Sequence, residues 1–292
     1  LRKIYDDFVL DVGFACEKGE IVSILGPSGA GKSTLLRMIA GLIPADSGTI
    51  RLDGRELSGL APQKRGIGMV FQDFALFGHL NAGDNVAYGL RIQGMPAAER
   101  RILVDELLTR FSLEGFRNRR VEELSGGEQQ RLDLARALAV KQGLMLLDEP
   151  LGSLDASLRK ELRQELRLIQ KEMGYTSITV THDQDDALSI SDRVLVMQDG
   201  RIVQNASPED LWHRPATPFV ASFVGSGTLV PVLESLGPIT NMSGNSVLAA
   251  TALGQLLVKG PQVDKGTHVF FRAESVRLIS ASELHEGRTC NA

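Results

Sequence analysis

The chain is poor in cysteine: among its 292 residues it has only Cys16 and Cys290, which lie far apart. No CxxC motif and no cluster of cysteine with histidine is present. This argues against a zinc site or a disulfide framework and favours a reducing, cytoplasmic setting. The net charge of -4 offers no basic face of the kind that nucleic-acid binding needs. We therefore expect no nucleic-acid partner.

Long apolar runs are also missing. No run of ~18 apolar residues is found, so we expect that the chain itself does not cross a membrane, and we recognise no signal peptide. The hydrophobic content of 43% and charged content of 23% are typical of a globular protein. The length suits one large domain or two smaller ones. Because the chain opens on Leu1 and not on Met, missing residues ahead of it stay an open possibility.

The most informative motif is a glycine-rich loop between a predicted strand, Ile21–Leu25, and a helix predicted from Ser33 to Leu42. The loop reads GPSGAGKS and fits the phosphate-binding pattern G-x-x-x-x-G-K-[ST]. Small residues let backbone N–H groups approach a triphosphate, and the helix points its positive end at it. An accidental glycine turn would not explain this position between strand and helix. We predict nucleotide contacts from Gly26, Pro27, Ser28, Gly29, Ala30, Gly31, Lys32, Ser33 and Thr34.

Within this loop two side chains have separate predicted roles. Lys32 would reach the β and γ phosphates of a bound triphosphate, and the Ser33 hydroxyl would bind Mg²⁺. A second candidate for the metal comes from LMLLDE, residues 144–149, an apolar run typical of a buried parallel strand. Asp148 at its end is suited to hold Mg²⁺, and Glu149 is suited to act as general base on the attacking water. Strands often end in polar turns, so the glycine-rich loop is what favours this interpretation.

The stretch LSGGEQQR, residues 124–131, predicts a helix start and something more. Ser125 and Glu128 have the spacing of a capping box, but a cap does not require two glycines. Gly126 and Gly127 would leave backbone N–H groups open to an anion. We infer a second phosphate-binding surface. Since one chain cannot easily fold both surfaces onto one γ-phosphate, two chains arranged head to tail are expected.

Taken together, these motifs resemble those of the ATP-binding cassette family, specifically the ATPase subunits of import systems. The resemblance covers about residues 1 to 223. Six motifs occur in the family's order and spacing: GPSGAGKS (Walker A), Gln72 (Q-loop), LSGGE (signature), LMLLDE (Walker B), Ser153-Leu154-Asp155 (D-loop) and His182 (H-loop). The sequence departs from the family pattern in two places. Glu128 replaces the usual Gln, and the chain opens only four residues before Tyr5. The second departure has two alternative explanations: the chain is clipped, or an edge strand is lacking.

The resemblance implies roles for the matching residues. Tyr5 would stack on adenine, and Gln72 would contact the Mg²⁺ and water region. The signature residues Ser125, Gly126, Gly127 and Glu128 would face the γ-phosphate of ATP held by the other subunit. Asp155 would contact the partner across the dimer. His182 would hold the γ-phosphate and orient the water, so that Glu149, His182, Gln72 and Lys32 form the catalytic set, and Ser33, Gln72 and Asp148 the metal site.

The expected fold is α/β: a P-loop NTPase with a RecA-like parallel sheet core and with antiparallel β and helical subdomains, followed by a small all-β, OB-like domain. We predict the ATPase domain over 1–224, its helical subdomain over about 74–140, and the β domain over 225–292. The segment Phe271–Val276 resembles the Arg-Pro-Glu segment of importer ATPases, with Ala273 in place of Pro. It would support a regulatory or dimer-supporting role, or belong to a β appendage without a ligand.

The predicted function is ATP hydrolysis that drives solute uptake. The expected partners are a second copy of the chain, membrane permease subunits and, indirectly, a solute-binding protein. The expected location is peripheral, on the cytoplasmic face of the inner membrane. A cassette ATPase acting on DNA or ribosomes, a GTP switch and an exporter domain are the alternatives; no coiled-coil insert or N/T-K-x-D motif supports the first two. The solute stays open, with iron, thiamine or polyamine slightly favoured over sugars and anions.

Overall fold

The computed structural model describes residues 1–140, 142–152, 154–225, 227–238, 246–251, 254–259 and 268–272. Ser153, Cys290 and the last four residues of the segment Phe271–Val276 lie outside these ranges, so the predictions made for them stay predictions. The chain divides into two compact units, Leu1–Glu209 and Asp210–Ala292.

The strands of the first unit form one large sheet and two small hairpins. Their bounds are β1 (Arg2–Tyr5), β2 (Phe8–Asp11), β3 (Ile21–Leu25), β4 (Arg51–Leu52), β5 (Arg55–Glu56), β6 (Ile67–Val70), β7 (Leu144–Asp148), β8 (Thr176–Thr181), β9 (Arg193–Gln198) and β10 (Arg201–Ala206). The six-stranded sheet has the order β10-β9-β3-β8-β7-β6, and every pairing in it is parallel except that of β9 with β10. The parallel core that the sequence predicts is therefore present.

The helices cover both faces of this sheet. Their bounds are α1 (Lys32–Ala40), α2 (Ala82–Ile92), α3 (Ala97–Arg110), α4 (Gly126–Ala139), α5 (Ala156–Met173), α6 (Gln184–Ile190) and α7 (Pro208–His213), which reaches across the division between the units. Helices α2, α3 and α4 pack on one another, within the range predicted for the helical subdomain. No described helix combines the length and apolar character that crossing a membrane would require.

Strand β7 shows why its sequence is continuously apolar. Leu144 and Leu146 belong to the core shared with α1, whereas Met145 and Leu147 belong to the core shared with the helices α2 to α5. All five residues of the strand are buried. A parallel strand covered on both faces has no solvent side, so its sequence does not alternate.

The second unit contains helix α8 (Pro218–Val224) and the antiparallel sheet β13-β12-β11-β14. Its strands are β11 (Gly227–Pro238), β12 (Ser246–Thr251), β13 (Gly254–Lys259) and β14 (His268–Arg272). Helix α8 packs on β11 and β14, so the compact unit begins earlier than the predicted boundary near Gly225. These strands agree with the β-structure predicted for this region. Their closure into an OB-like barrel stays a prediction.

Candidate active site

Four loops meet at one edge of the large sheet because the strands before them are parallel and in register. Across β3, β8 and β7, Ile24 pairs with Val180, and Val180 pairs with Asp148. On the other side of β7, Val70 of β6 pairs with Leu147. The carboxyl ends of these strands therefore lie together, and this is where open α/β sheets bind their ligands.

The glycine-rich loop follows β3 and delivers the chain into α1. Gly31 precedes the helix with φ 93°, and a Cβ there would lie 2.8 Å from the Phe8 ring. A Cβ on Gly26 would lie 2.4 Å from the Met197 carbonyl oxygen. Helix α1 has no side-chain cap and no acid in its first turn. Its N-terminus therefore keeps the positive, uncapped end that favours a phosphate.

The Lys32 ammonium group is held inside the loop. Its Nζ donates to the carbonyl oxygens of Gly26 at 2.7 Å and Pro27 at 2.9 Å, and the residue is 7% exposed. Burial lowers the pKa of Lys32, while the charges of Glu149 and Asp148 act in the opposite direction. The loop thus fixes a cation at the helix start, as the phosphate-binding pattern predicts.

Ser33 and Asp148 meet although 115 positions separate them in the chain. The Ser33 Oγ donates to Asp148 Oδ1 at 2.9 Å. Asp148 is 1% exposed, and this burial raises its pKa. A hydroxyl and a carboxylate are hard oxygen donors that suit Mg²⁺, which usually takes one or two carboxylates together with the phosphates of the substrate. Among the residues that the structure describes, no group of three His, Cys, Asp or Glu forms a metal site by itself.

Two predicted catalytic residues from different loops, His182 and Gln72, converge on the carboxylate of a third, Glu149. Glu149 Oε1 lies 3.0 Å from His182 Nδ1, and Glu149 Oε2 lies 3.5 Å from Gln72 Nε2, a long contact. The Glu149 N–H donates to the Val180 carbonyl at 2.9 Å. Glu149 has φ 50°, a conformation that costs a residue with a side chain energy and is often found at functional sites.

The signature segment forms the predicted capping box at the start of α4. The Ser125 N–H donates to Glu128 Oε2 at 2.7 Å, and the Glu128 N–H donates to Ser125 Oγ at 3.4 Å. The hydrogen bonds from Ser125 hold the pKa of Glu128 below its usual value. Ser125 and Gly126 are exposed. A Cβ on Gly126 would meet nothing within 4 Å, and one on Gly127 would lie 3.3 Å from Leu154 Cδ2.

Tyr5 and Asp155, two further predicted residues, each contact another part of their own chain. Tyr5 ends β1, is 41% exposed, and its ring centroid lies 6.4 Å from that of Phe8. Asp155 is exposed and caps α5, accepting from the N–H groups of Ser157 at 3.1 Å and Leu158 at 3.0 Å. Contacts of either residue with a nucleotide or a second chain stay predictions.

One residue of this site was missed by the sequence analysis. Gln130 on α4 is 4% exposed, and its Nε2 donates to the Glu149 carbonyl oxygen at 3.4 Å. It joins the signature helix to the residue predicted as the base. The available signal was the pair Gln129-Gln130, since amides at the buried face of a helix need hydrogen-bond partners.

A phosphate-binding loop after the first strand of a parallel sheet, with acidic and histidine side chains at neighbouring strand ends, defines a P-loop nucleotide-binding fold. Within that class the chain belongs to the ABC transporter family, whose model matches residues 9–152. The family that the sequence motifs resemble is thereby confirmed.

Several characterised relatives are similar to this chain. The sulfate/thiosulfate import ATP-binding protein CysA of Mycobacterium tuberculosis is 52% identical over 226 residues, 77% of this chain and 64% of that protein. The Fe(3+) ions import ATP-binding protein FbpC of Escherichia coli is 47% identical over 81% of this chain and 68% of its own length. The spermidine/putrescine import ATP-binding protein PotA of Acetivibrio thermocellus is 40% identical over 97% of this chain and 79% of its own length.

Solved structures give the same answer for the fold. The dimeric post-hydrolysis state of the ATP-binding cassette MJ0796, bound to ADP and Pi, matches 71% of this chain and 95% of its own with TM-score 0.64 and 33% identity. A second dimeric structure of that cassette matches equally well. The chain spans less than two thirds of the length of the CysA relatives of Mycobacterium tuberculosis and Mycobacterium bovis.

Proposed function

We propose that this chain binds and hydrolyses MgATP as a head-to-tail homodimer, and that it drives solute uptake through membrane permease subunits. The observation that carries the proposal is the convergence of His182 and Gln72 on the Glu149 carboxylate. These residues come from three loops. Glu149 was predicted from its place at a strand end, and Gln72 and His182 from the family resemblance. A purely structural carboxylate does not require a histidine and an amide from two other strand ends.

The proposed chemistry uses these groups in sequence. Water attacks the γ-phosphorus, its proton passes to the Glu149 carboxylate, and the bond between the γ-phosphorus and the bridging oxygen breaks to release ADP. Lys32 neutralises charge on the β and γ phosphates, and His182 holds the γ-phosphate beside the base. Mg²⁺ held by Ser33 and Asp148, with Gln72 facing it, would supply further charge neutralisation.

The dimer is proposed because the signature segment needs a nucleotide from outside the chain. Ser125 and Gly126 are exposed, and, among the residues that the structure describes, a methyl group on Gly126 would meet no atom within 4 Å outside its own turn of helix. The two solved structures of the similar cassette MJ0796 are both dimeric. ATP that is bound between Lys32 of one chain and Ser125 of the other favours the closed dimer, and hydrolysis removes that preference.

Import is proposed from the relatives' names, each of which is an import ATP-binding protein. The permease subunits and a solute-binding protein would be the other components, with this chain at the cytoplasmic face of the membrane. Purification of the complex from membranes, followed by a screen for the solute that stimulates ATP turnover, tests this part. Turnover that no solute and no permease affects would contradict import.

The substitution Glu149→Gln tests the hydrolysis step. We expect kcat for ATP to fall by about 100- to 10,000-fold, the range for loss of a general base, while ATP binding persists. Because the γ-phosphate then remains, size-exclusion chromatography with MgATP should detect a stable dimer. Glu114→Gln, an isosteric change at an exposed position, is the matched control. Full turnover by Glu149→Gln would refute the assignment of the base.

A further inference from the structure

A cluster of charged residues lies behind the catalytic loops. Helix α5 carries three arginines at intervals of four residues, Arg159, Arg163 and Arg167, and each is paired with an aspartate in or next to α6. Arg159 lies at the end of this row nearest the site. Its partners are Asp183, which follows His182 directly in the chain, and the loop that follows Glu149.

The Arg159 guanidinium group contacts both loops at once. Its Nη1 donates to Asp183 Oδ2 at 2.7 Å, and its Nη2 donates to the carbonyl oxygens of Leu154 at 3.1 Å and Gly152 at 3.3 Å. The Arg159 side chain is 22% exposed. Such a fork can hold a carboxylate and two carbonyls simultaneously, which the single ammonium group of a lysine cannot do in the same geometry.

These contacts close a ring through the catalytic pair. The Gly152 N–H donates to the Glu149 carbonyl at 3.2 Å, Arg159 bonds Gly152 and Asp183, and His182 Nδ1 returns to Glu149 Oε1 at 3.0 Å. Leu154, the other carbonyl that Arg159 holds, lies against Gly127 of the signature segment. Arg159 thus connects the loop beside the signature helix to the loop that carries the histidine.

We propose that Arg159 is a positioning residue that holds Glu149 and His182 in fixed relative positions, so that a displacement of the Gly152 and Leu154 carbonyls is transmitted to the histidine. This inference rests on the proposed function, since it assigns a task within ATP hydrolysis. Arg159 touches neither substrate nor reacting atoms. It acts through Asp183 on one side and through the loop carbonyls on the other.

Arg167 provides a matched comparison within the same helix. It bonds the Ile190 carbonyl and, at 3.2 Å, Asp192, so it has the same kind of partners at the far end of α6. Its side chain is 31% exposed. Its hydrogen bonds go to Ile190 and Asp192, whereas those to Gly152 and Leu154 of the loop after Glu149 come from Arg159. Loss of Arg159 and loss of Arg167 should therefore weaken the packing of α5 on α6 to similar extents, but only the first should disturb the catalytic pair.

The test compares Arg159→Gln and Arg159→Lys with Arg167→Gln, first by steady-state ATP hydrolysis. For both Arg159 variants we expect kcat to fall about 10- to 100-fold, as for a displacement of about 1 Å at a reacting group, with KM for MgATP within about twofold of wild type. Arg167→Gln should keep both constants. Unchanged kcat in the Arg159 variants, or equal losses in all three proteins, would overturn the proposal. Absence of turnover in the wild type would instead contradict the proposed function.

Hydrogen–deuterium exchange gives a second readout that needs no activity. Arg159→Gln should accelerate exchange of the amides in both the Gly152–Leu154 loop and the start of α6, whereas Arg167→Gln should accelerate only the amides near Ile190. If Arg159→Gln does not fold, Arg159→Lys, which retains the charge, serves for both measurements. Exchange that rises in one loop only would show that Arg159 does not join them, and the inference would fall.

Discussion

The two helix starts that are predicted to face phosphate, those of α1 and α4, are completed in different ways. At α1 the cation is built in: Lys32 is 7% exposed and bonds two carbonyls of its own loop, while no side chain caps the helix. At α4 the cap is built in, through Ser125 and Glu128, and the glycine after the cap is exposed.

This difference indicates where the ligand comes from at each helix start. The α1 start lies at the carboxyl edge of the sheet beside Asp148 and Glu149, so a nucleotide there is surrounded by its own chain. The start of α4 is capped by its own residues, Ser125 and Glu128, and the surface in front of Gly126 stays open. A phosphate that binds there would be presented from outside the chain, which is the physical content of the dimer proposal.

The largest effect is expected from the α1 side. Lys32→Ala removes the charge that meets the β and γ phosphates, and the loss of charge-assisted hydrogen bonds of about 3 kcal/mol weakens ATP binding by about 100-fold or more. Isothermal titration calorimetry with MgATP measures this. Lys160→Ala, a change at an exposed lysine of α5, should bind normally. Retained affinity in Lys32→Ala would contradict the assignment of the loop.

The second-largest effect is expected at the start of α4. A substitution there should lower turnover and retain ATP binding, whereas Lys32→Ala should lose ATP binding. Gly126→Ala adds a methyl group that meets no described residue beyond its own turn of helix, and alanine favours the helix, so stability should stay equal or rise by up to about 1 kcal/mol. ATP binding to the single chain should be unaffected. A methyl group between the helix start and a partner's phosphate should nevertheless lower turnover about 100-fold.

The measurement combines Gly126→Ala with Glu149→Gln and follows dimer formation in MgATP by size-exclusion chromatography. The doubly substituted protein should remain monomeric while still binding ATP. Gly59→Ala is the control, because a Cβ on Gly59 also meets nothing within 4 Å and its φ is not positive. A normal dimer and normal turnover in the Gly126 variant would show that no partner reaches this surface.

The sequence predicted the elements that position the site better than it predicted the contacts within it. The apolar run that ends at Asp148 forms a buried strand, β7, as predicted, because burial on two faces leaves a clear sequence pattern. Helix α1 begins one residue before the predicted Ser33. The short helices α6 and α8 were not predicted, since seven residues give too few turns for periodicity to be recognised.

Contacts between loops escaped the sequence analysis for a different reason. Arg159 and Asp183 lie 24 positions apart, and nothing in either local pattern specifies that α5 and α6 pack side by side. The φ of 50° at Glu149 likewise follows from the fold and not from the residue type. Asp155 was interpreted through the family alone, whereas the structure adds that it caps its own helix.

A smaller effect is expected at Tyr5, where ring stacking is the only predicted interaction. The residue is 41% exposed, and its ring centroid lies 6.4 Å from that of Phe8. Tyr5→Ala should weaken ATP binding by about tenfold, within the range of about 1–3 kcal/mol for stacking of a base on an aromatic ring, and leave kcat unchanged. Tyr5→Phe retains the ring and should bind ATP normally. Equal affinities for all three proteins would leave Tyr5 with a packing role alone.

The smallest effect concerns the stability of the protein without nucleotide. It tests how far the buried carboxylate of Asp148, beside the start of α1, lowers the free energy of unfolding. Burial raises the pKa of Asp148, so its ionised form is disfavoured in the folded state. That cost is absent below the ordinary aspartate pKa of about 3.9 and grows as the pH rises through the raised value. Asp148→Asn avoids it. The variant should therefore unfold at a higher urea concentration than wild type near neutral pH, with an advantage that shrinks on acidification.

Asp46 is a control for the same titration, because its pKa is shifted in the opposite direction from that of Asp148. The Lys3 side chain and the Ile4 N–H donate hydrogen bonds to its carboxylate and lower its pKa, so its contribution to stability is present above the unfolded value and lost as the pH falls. Asp46→Asn should be less stable than wild type near neutral pH and approach it on acidification. Urea unfolding of the three proteins from about pH 3 to about pH 8 gives the free energy of unfolding against pH. Near neutral pH the Asp148→Asn curve should lie above that of wild type and the Asp46→Asn curve below it. An Asp148→Asn curve below wild type at neutral pH would mean that the ionised carboxylate, paired with Ser33 and facing Lys32, stabilises the fold before any ligand arrives.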